Sequence, residues 1–187
     1  MKKLFYFLSF LFTLSCCMLS SAQDSCQENA EQAAAVLWVQ SVSAVKLTEK
    51  AAKNIVEHAY AQADKQDIDP MLVLAVARTE SGFKATAKSS EGAAGLMQVM
   101  PRYHKKALAG RSAFNPEVSI EVGVGILKYC SDKSKENVLK TLNCYSGGGG
   151  KKYMSRVLSY KKELSTHVYR ALFVPPEPAV VYAVNSF

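Results

Sequence analysis

Apolar side chains recur at helical spacing along most of the chain, and this periodicity predicts a succession of helices. The first helix is predicted over residues 28–47, and the positions at helical spacing on it are Ala33, Val36, Leu37 and Gln40, with Trp38 beside them. A second helix is predicted to begin after Thr48, a residue type that caps helix N-termini. Its predicted apolar face consists of Ile55, Val56, Ala59, Tyr60 and Ala63.

The strongest helix signal is the pair Asp69-Pro70. Asp caps an N-terminus, and Pro fits the first helical position because the amide hydrogen it lacks would have no partner there. The helix that follows, Met71–Glu80, is apolar nearly all round. A helix of that kind is buried, so we expect it in the middle of the core.

The rest of the chain alternates turns with helices and shows no sustained strand pattern. A loop of small residues follows Ser81-Gly82, and a short helix is predicted near Leu96–Met100. Longer helices are predicted from Asn115-Pro116 to Cys130, from Lys135 to Cys144 and over Tyr153–Arg170. The predicted fold class is mostly α in a single domain, which is the expected domain count for 187 residues.

The N-terminus has the organisation of a secretory signal peptide. A short basic start and an apolar stretch to about Leu19 precede small residues, and cleavage is expected after Ala22. The apolar stretch is shorter than the roughly 20 residues of a membrane span, which disfavours an uncleaved anchor. A lipoprotein cleaved before Cys16 is disfavoured by the residues that precede that cysteine. We therefore expect export to the periplasm.

Basic residues outnumber acidic ones, 23 to 16. They form two clusters, Arg102, Lys105, Lys106 and Arg111 in one, and Lys151, Lys152, Arg156, Lys161 and Lys162 in the other. Such clusters are either solvated helix faces or surfaces that attract an anionic cell-wall polymer. Because an exported protein does not meet nucleic acid, no nucleic-acid partner is predicted.

Three cysteines follow the signal peptide: Cys26, Cys130 and Cys144. An oxidising compartment favours one disulfide and one remaining thiol, and the sequence leaves the three possible pairs open. The chain has no Cys-x-x-Cys or His-Glu-x-x-His motif, and its three histidines are isolated from one another. No metal or other cofactor is therefore predicted.

Glu80 is the residue most informative about chemistry, because it lies at the C-terminal end of the most apolar helix. Apolar surroundings raise the pKa of a carboxyl group, and the negative end of the helix dipole acts in the same direction. A carboxyl group that stays protonated near neutral pH is suited to act as a general acid. The alternative is a solvent-exposed terminal glutamate with no task.

The residues around Glu80 form an extended motif. Glu80-Ser81-Gly82-Phe83 is followed by Ala87, Ser89, Gly92-Ala93 and Gly95–Pro101, whose sequence is GLMQVMP. The motif resembles the soluble lytic transglycosylase (SLT) domain of the goose-lysozyme-like family, which cleaves bacterial cell-wall glycan. The family pattern is E-S-x-F, then A-x-S-x-x-G-A-x-G-L-M-Q, a hydrophobic residue, Met and Pro. It is met without a gap from Glu80 to Pro101.

Two further segments resemble the same family less closely. Residues 115–123 are similar to its N-P-x-x-N-I-x-x-G helix start, with Ser119 in place of Asn, and residues 144–148 to its A-Y-N-A-G turn, with Ser146 in place of Asn. The resemblance covers roughly residues 50–160. The predicted division is a signal peptide over 1–22, a helical extension over 23–47, a lytic transglycosylase domain over 48–170 and a proline-containing tail over 171–187.

The resemblance implies a goose-type lysozyme-like helical fold and makes Glu80 the catalytic acid and base. It places Ser89, Gln98, Met100 and Tyr145 along the sugar-binding cleft, where their hydroxyl, amide and apolar groups suit a sugar ligand. Considered by themselves, Ser89 is also suited to capping a turn, and Met100 to packing in the core.

Glycosidases that use two acids need a second carboxylate about 5–9.5 Å away. The only other acid between Glu80 and Pro101 is Glu91, which we expect to be solvated. The resemblance implies a one-acid reaction at the β-1,4 bond between N-acetylmuramic acid and N-acetylglucosamine of peptidoglycan, with a 1,6-anhydro product. Two alternatives stay open: a lysozyme-like hydrolase that uses water, and a non-catalytic glycan-binding or assembly scaffold.

The resemblance also bears on partners, since compact relatives of this kind accompany secretion or conjugation machines. Components of an envelope-spanning complex are therefore expected partners, beside the peptidoglycan strand. The tail offers Val180–Val184 as a strand for docking on a sheet edge, with a frayed terminus as the alternative.

Overall fold

The computed structural model describes residues 26–175, and helices account for most of that range. Helix α1 covers residues 26–42, followed by α2 (Glu49–Gln66), α3 (Pro70–Ser81), α4 (Lys105–Leu108), α5 (Pro116–Lys133), α6 (Val138–Tyr145) and α7 (Gly150–Phe173). The predicted mostly α fold class is confirmed. The predicted signal peptide with Cys16, and the tail from residue 176 onward with Val180–Val184, lie outside the described residues. Among residues 26–175, none of the helices combines the length and the apolar character that a membrane crossing requires.

The predicted caps begin three of the helices. Thr48 Oγ1 accepts from the amide of Ala51 at the start of α2. The carboxylate of Asp69 accepts from two amides in the first turn of α3, and the carboxamide oxygen of Asn115 does the same at α5. At the other end of α3, Gly82 adopts φ +57° and its amide donates to Arg78 O. These local hydrogen bonds satisfy groups that helix ends leave unpaired, so the boundaries lie close to where the sequence predicts them.

Helix α3 lies at the centre of the core, as predicted. Every residue from Leu72 to Ala77 is buried, and α3 packs against α7 on one side and α2 on another. The predicted apolar face of α2 is buried too. Burial of each large apolar side chain contributes roughly 1.5–3 kcal/mol, so α3 is held in place from several sides. Its C-terminal end, which carries Glu80, is thereby fixed in position.

The predicted apolar face of α1 is wrong. The buried residues are Ala34, Ala35, Trp38 and Val39, whereas Leu37 is 60% exposed. Because residues 33–39 are all apolar, their periodicity does not single out one face, and burial of Trp38, the largest side chain among them, decides the orientation. The buried face of α1 belongs to the main core of the domain. The predicted boundary between a helical extension over 23–47 and a domain over 48–170 stays a prediction, although α1 packs in the same core as the later helices.

Helix α1 also ends five residues before the predicted boundary. After residue 42 the chain turns away, because Ala44 N and Ser43 Oγ both donate to the carbonyl oxygen of Gly82. The start of the connection to α2 is thus tied to the end of α3, close to Glu80.

The predicted short helix at Leu96–Met100 is wrong. The segment is a tight turn in which Ala94 and Val99 exchange two backbone hydrogen bonds of 2.9 and 3.0 Å. Gly95 and Gln98 take positive φ values of +79° and +48°, which a right-handed helix does not allow. Leu96 and Met97 are fully buried beneath the turn. The apolar run therefore marks a buried loop and not a helix.

The later helices differ from prediction only at their ends. Helix α5 extends three residues beyond Cys130, and α6 begins at Val138 because Lys135 and Glu136 are left-handed and Asn137 caps the helix. Helix α7 begins at Gly150, before the predicted start, and ends at Phe173. The short α4 was not predicted.

Candidate active site

A cleft of about 630 Å³ lies at the C-terminal end of α3, between the 89–104 loop, α5, α6 and the first turn of α7. All five residues predicted for the site line it: Glu80, Ser89, Gln98, Met100 and Tyr145. Cavities of about 560 and 600 Å³ also lie beside α2. Volume alone therefore does not identify a site, and the group of titratable side chains around Glu80 distinguishes this cleft from the others.

Glu80 is half-buried at the inner wall of the cleft. Burial raises the pKa of its carboxyl group, while a hydrogen bond from Tyr153 acts in the opposite direction and lowers it. Burial is the larger effect, because desolvation disfavours the charged form. The pKa of Glu80 is thus shifted upward, as the sequence predicts. The carboxyl group therefore keeps its proton to a higher pH than an ordinary glutamate does.

Tyr153 is a site residue that the sequence analysis missed. Its hydroxyl donates to Glu80 Oε1 at 2.6 Å, across 73 residues of chain. Burial, followed by the negative charge of Glu80, raises the pKa of Tyr153, so the hydroxyl keeps its proton and acts as a donor. The sequence shows only that Tyr153 lies near the start of a helix after four glycines, and this position does not indicate that it contacts Glu80.

Tyr145 faces the same carboxyl group from α6. Its hydroxyl donates to Met97 O at 2.9 Å, and its pKa is raised by burial and then by the charge of Glu80. Tyr145 therefore joins the end of α6 to the buried turn while its ring forms part of the cleft wall. Tyr145 and Tyr153 both lie close enough to Glu80 for its charge to raise their pKa values.

The loop residues of the cleft are held by backbone contacts. Ser89 Oγ accepts from Ala93 N at 3.0 Å, so Ser89 caps a turn, which is one of the two roles considered for it. Gln98 Nε2 donates to the carbonyl oxygens of Ala87 and Gly95, which leaves its own carboxamide oxygen as the atom able to accept from a ligand. Met100 is half-buried on the wall, so it forms part of the cleft and not only of the core.

The first of the two departures from the family pattern has a structural function. Ser119 is completely buried, and its hydroxyl accepts from the amide of Met97 at 3.1 Å. Gly95 approaches so closely that an added Cβ would lie 2.8 Å from Ser119 Oγ and 1.9 Å from Ala113 O. A serine at 119 thus satisfies a buried amide in a place with little room for a longer side chain.

The disulfide left open by the sequence joins Cys130 and Cys144, at the ends of α5 and α6. Both residues line the cleft, so the bond holds two of its walls together. Cys26 is exposed and makes no disulfide within residues 26–175.

The outer edge of the cleft is aromatic and basic. Tyr103 and Tyr129 are 70% and 63% exposed, and the guanidinium of Arg102 lies 4.7 Å from the centre of the Tyr103 ring. Two other members of the predicted basic clusters form ion pairs on half-exposed surfaces: Arg111 binds Glu121 at 2.7 Å, and Lys161 binds Asp69 at 2.7 Å. In the described part of the chain, no three His, Cys, Asp or Glu side chains converge as metal ligands would.

Comparison with known families places this geometry in context. The model of the family described as "Transglycosylase SLT domain" matches residues 57–168, which is more than half of the chain and includes every residue of the cleft named above. The match begins within α2 and leaves α1 outside.

Individual relatives are similar over shorter parts of their own length. Membrane-bound lytic murein transglycosylase C of Histophilus somni is 28% identical over 139 residues, which cover 65% of this chain and 37% of that protein. Soluble lytic murein transglycosylase of Escherichia coli is 30% identical over 95 residues, 46% of this chain and 15% of that protein. The solved structure of the 70 kDa soluble lytic transglycosylase from Escherichia coli covers 79% of this chain and 26% of its own, with 22% identity and a TM-score of 0.48. The matched part of this chain thus covers between 15% and 37% of the length of these relatives.

Proposed function

The chain belongs to the family of transglycosylase SLT domains, and on that premise we propose that it is a peptidoglycan lytic transglycosylase with Glu80 as its single acid and base. The substrate is the β-1,4 bond between N-acetylmuramic acid and N-acetylglucosamine in a glycan strand. The observation that carries the proposal is the half-buried Glu80, with its raised pKa, on the wall of a cleft of suitable volume.

The reaction follows from the two protonation states of one carboxyl group. Protonated Glu80 gives its proton to the glycosidic oxygen, the bond between that oxygen and C1 breaks, and the N-acetylglucosamine residue leaves with the oxygen as a hydroxyl group. The N-acetyl group of the muramic acid residue stabilises the positive centre at C1. The carboxylate then removes the proton of the C6 hydroxyl, whose oxygen attacks C1. A 1,6-anhydro sugar forms, no water is consumed, and Glu80 has its proton back for the next cycle.

Tyr153 contributes to both states in this scheme. Its hydroxyl donates to the carboxylate that remains after the first proton transfer, and such charge-assisted hydrogen bonds are the stronger ones. The bond also fixes the orientation of Glu80 Oε1. Ser89, Gln98, Met100 and Tyr145 form the sugar-binding walls, with Tyr145 in addition holding the turn beneath them.

A lysozyme-like hydrolase is the second candidate function, and one observation favours it: Glu91 lines the same cleft. A second carboxylate in a cleft is what an acid-and-base pair needs for activating water. Glu91 is exposed, however, and has no hydrogen-bond partner among the described residues, so the one-acid reaction fits the site better.

Mass spectrometry of digested peptidoglycan tests the proposal. The wild type should release muropeptides that end in 1,6-anhydro-N-acetylmuramic acid, and Glu80→Gln should lower the rate by about 10²-fold or more, the usual contribution of a general acid and base. Glu91→Gln is the matched control and should retain activity. Products that carry one additional water would support the hydrolase. Full activity in Glu80→Gln would contradict the role of Glu80 as the acid, and a wild type that releases no muropeptides would favour a glycan-binding scaffold.

The proposal extends to where the protein acts. We place it in the periplasm after removal of residues 1–22, with components of an envelope-spanning secretion or conjugation complex as partners. Sequencing of the exported protein should find Gln23 at its N-terminus. Normal assembly of such complexes after deletion of the gene would count against the role at a secretion or conjugation apparatus, while leaving the proposed reaction unaffected.

A further inference from the structure

Arg78 lies two residues before Glu80 on α3, and its guanidinium is enclosed between two aromatic rings. It lies 3.8 Å from the centre of the Tyr160 ring on α7 and 5.0 Å from the centre of the Trp38 ring on α1. The Arg78 side chain is only 17% exposed. A cation that is largely removed from water between two rings is held more strongly than one at an open surface.

One carboxylate closes this arrangement. Glu163 on α7 accepts from Arg78 Nη1 through Oε2 at 2.7 Å and from Trp38 Nε1 through Oε1 at 3.1 Å. Trp38, Arg78, Tyr160 and Glu163 therefore form one connected group, which we name the Arg78 clamp. Since Glu163 is 46% exposed, the ion pair by itself contributes little to stability. What the four side chains together provide is a fixed relation among three helices.

The clamp lies on the same helices that bring Tyr153 and Glu80 together. Tyr153 and Tyr160 are seven residues apart on α7, so they share a face and are separated by about 10.5 Å along the axis. Trp38 also meets the edge of Phe83, three residues after Glu80, with ring centres 6.0 Å apart. The clamp thus restrains α7 against rotation and sliding relative to the end of α3.

We propose that the Arg78 clamp positions the Tyr153 hydroxyl on the Glu80 carboxyl group, which makes helix α1 a part of the catalytic domain although the family match begins at residue 57. The inference rests on the proposed function, in which this pair carries the chemistry. Trp38, Arg78 and Glu163 are positioning residues, because none of them is among the described residues that line the cleft. The Tyr153 bond is short, at 2.6 Å, and displacement of α7 by about 1 Å would break it.

Three variants each change one member of the clamp and keep most of its volume. Arg78→Met removes the charge, Trp38→Phe removes the Nε1 donor, and Glu163→Gln removes the negative charge. The matched control is Lys161→Met, which removes an ion pair of the same 2.7 Å length between α7 and the start of α3, outside the clamp. Arg78→Lys, which keeps a cation, should recover part of the activity that Arg78→Met loses.

Two measurements separate positioning from general stability. The first is kcat and KM on soluble glycan oligomers of alternating N-acetylglucosamine and N-acetylmuramic acid, across pH. We expect kcat to fall by about tenfold or more in Arg78→Met with little change in KM, because misplacement of a catalytic group mainly affects the chemical step. The second is an NMR titration of the Glu80 carboxyl carbon, assigned by comparison with Glu80→Gln. Its midpoint should move to higher pH by about one unit when the Tyr153 hydrogen bond is lost.

The outcomes distinguish this inference from the proposed function. A Glu80 titration and pH profile that coincide with those of the wild type in Arg78→Met, Trp38→Phe and Glu163→Gln would overturn the positioning role, even if all three melt at lower temperature. A wild type without lytic activity whose clamp variants still shift the Glu80 titration would overturn the proposed function and support the clamp. A shift in Lys161→Met equal to that in Arg78→Met would also overturn the inference.

Discussion

The hydrogen bond between Tyr153 and Glu80 gives the most direct test of the site. Tyr153→Phe removes the hydroxyl that donates to Glu80 Oε1 at 2.6 Å and keeps the ring. This hydrogen bond favours the charged carboxylate and so lowers the pKa of Glu80, against the larger effect of burial. Its loss therefore raises the pKa further, and Glu80 keeps its proton to higher pH in the variant.

The size of the effect follows from the type of bond. A hydrogen bond to a charged group contributes about 1.5–3 kcal/mol, and 1.36 kcal/mol corresponds to one pH unit. A hydrogen bond to the neutral carboxyl group contributes only about 0.5–1.5 kcal/mol, so the two protonation states differ by about 1–1.5 kcal/mol. The alkaline limb of the pH–activity profile, which reports loss of the acid's proton, should therefore move upward by about one unit. Folding stability should show the same coupling. At high pH the variant leaves a buried carboxylate without its donor and loses about 1.5–3 kcal/mol, whereas at low pH, with Glu80 protonated, the loss should be about 0.5–1.5 kcal/mol.

The assay is the release of soluble muropeptides over a range of about pH 4 to 9, together with urea unfolding at both ends of that range. Tyr169→Phe is the matched control, because it removes a hydroxyl from the same helix at a position that is 61% exposed. It should leave both measurements unchanged. Coincident alkaline limbs in the wild type and Tyr153→Phe, or a shift to lower pH, would refute the reasoning about how the proton on Glu80 is held.

Three further variants test other parts of the site. Glu80→Gln should raise the melting temperature more at neutral than at acidic pH. The pKa of Glu80 is raised in the folded protein, so the wild type loses stability as pH rises through that pKa, whereas the neutral glutamine does not titrate. An equal gain at all pH values would contradict this. Replacement of both Cys130 and Cys144 by Ser should lower the free energy of unfolding by about 3 kcal/mol, the value for a loop of about 15 residues, and urea unfolding with and without reductant measures it. Gly95→Ala should cost about 3 kcal/mol or prevent folding, because φ is +79° and the new Cβ would lie 1.9 Å from Ala113 O; wild-type stability by circular dichroism would argue against this turn geometry.

Helix starts were the most predictable part of the fold, because their causes are local. Thr48, Asp69 and Asn115 each satisfy amides two or three residues further along the chain, and no distant contact is needed. The burial of α3 was equally accessible, since a helix that is apolar all round has only one stable environment. For the same reason the orientation of α1 could not be predicted: an unbroken apolar run over 33–39 fits either face, and packing of Trp38 on Phe83 decides between them.

The candidate site divides along the same line. Glu80 and its expected shift in pKa followed from its place on one helix, and the motif placed four further residues on the cleft wall. The partner of Glu80 did not follow, because Tyr153 is 73 residues away and only the packing of α7 on α3 brings the two together. The buried turn at 94–99 was also missed, since left-handed Gln98 has no signal in its residue type.

This division has a consequence for how the acid is tuned. Its location and the direction of its pKa shift follow from its own helix, but the size of that shift also depends on other elements, through burial and through the hydrogen bond from Tyr153 on α7. The Tyr153 hydrogen bond depends on the register of α7 against α3, and the Arg78 clamp connects these two helices. Changes far from the cleft on α1 or α7 should therefore alter the pH at which Glu80 works before they alter whether the domain folds.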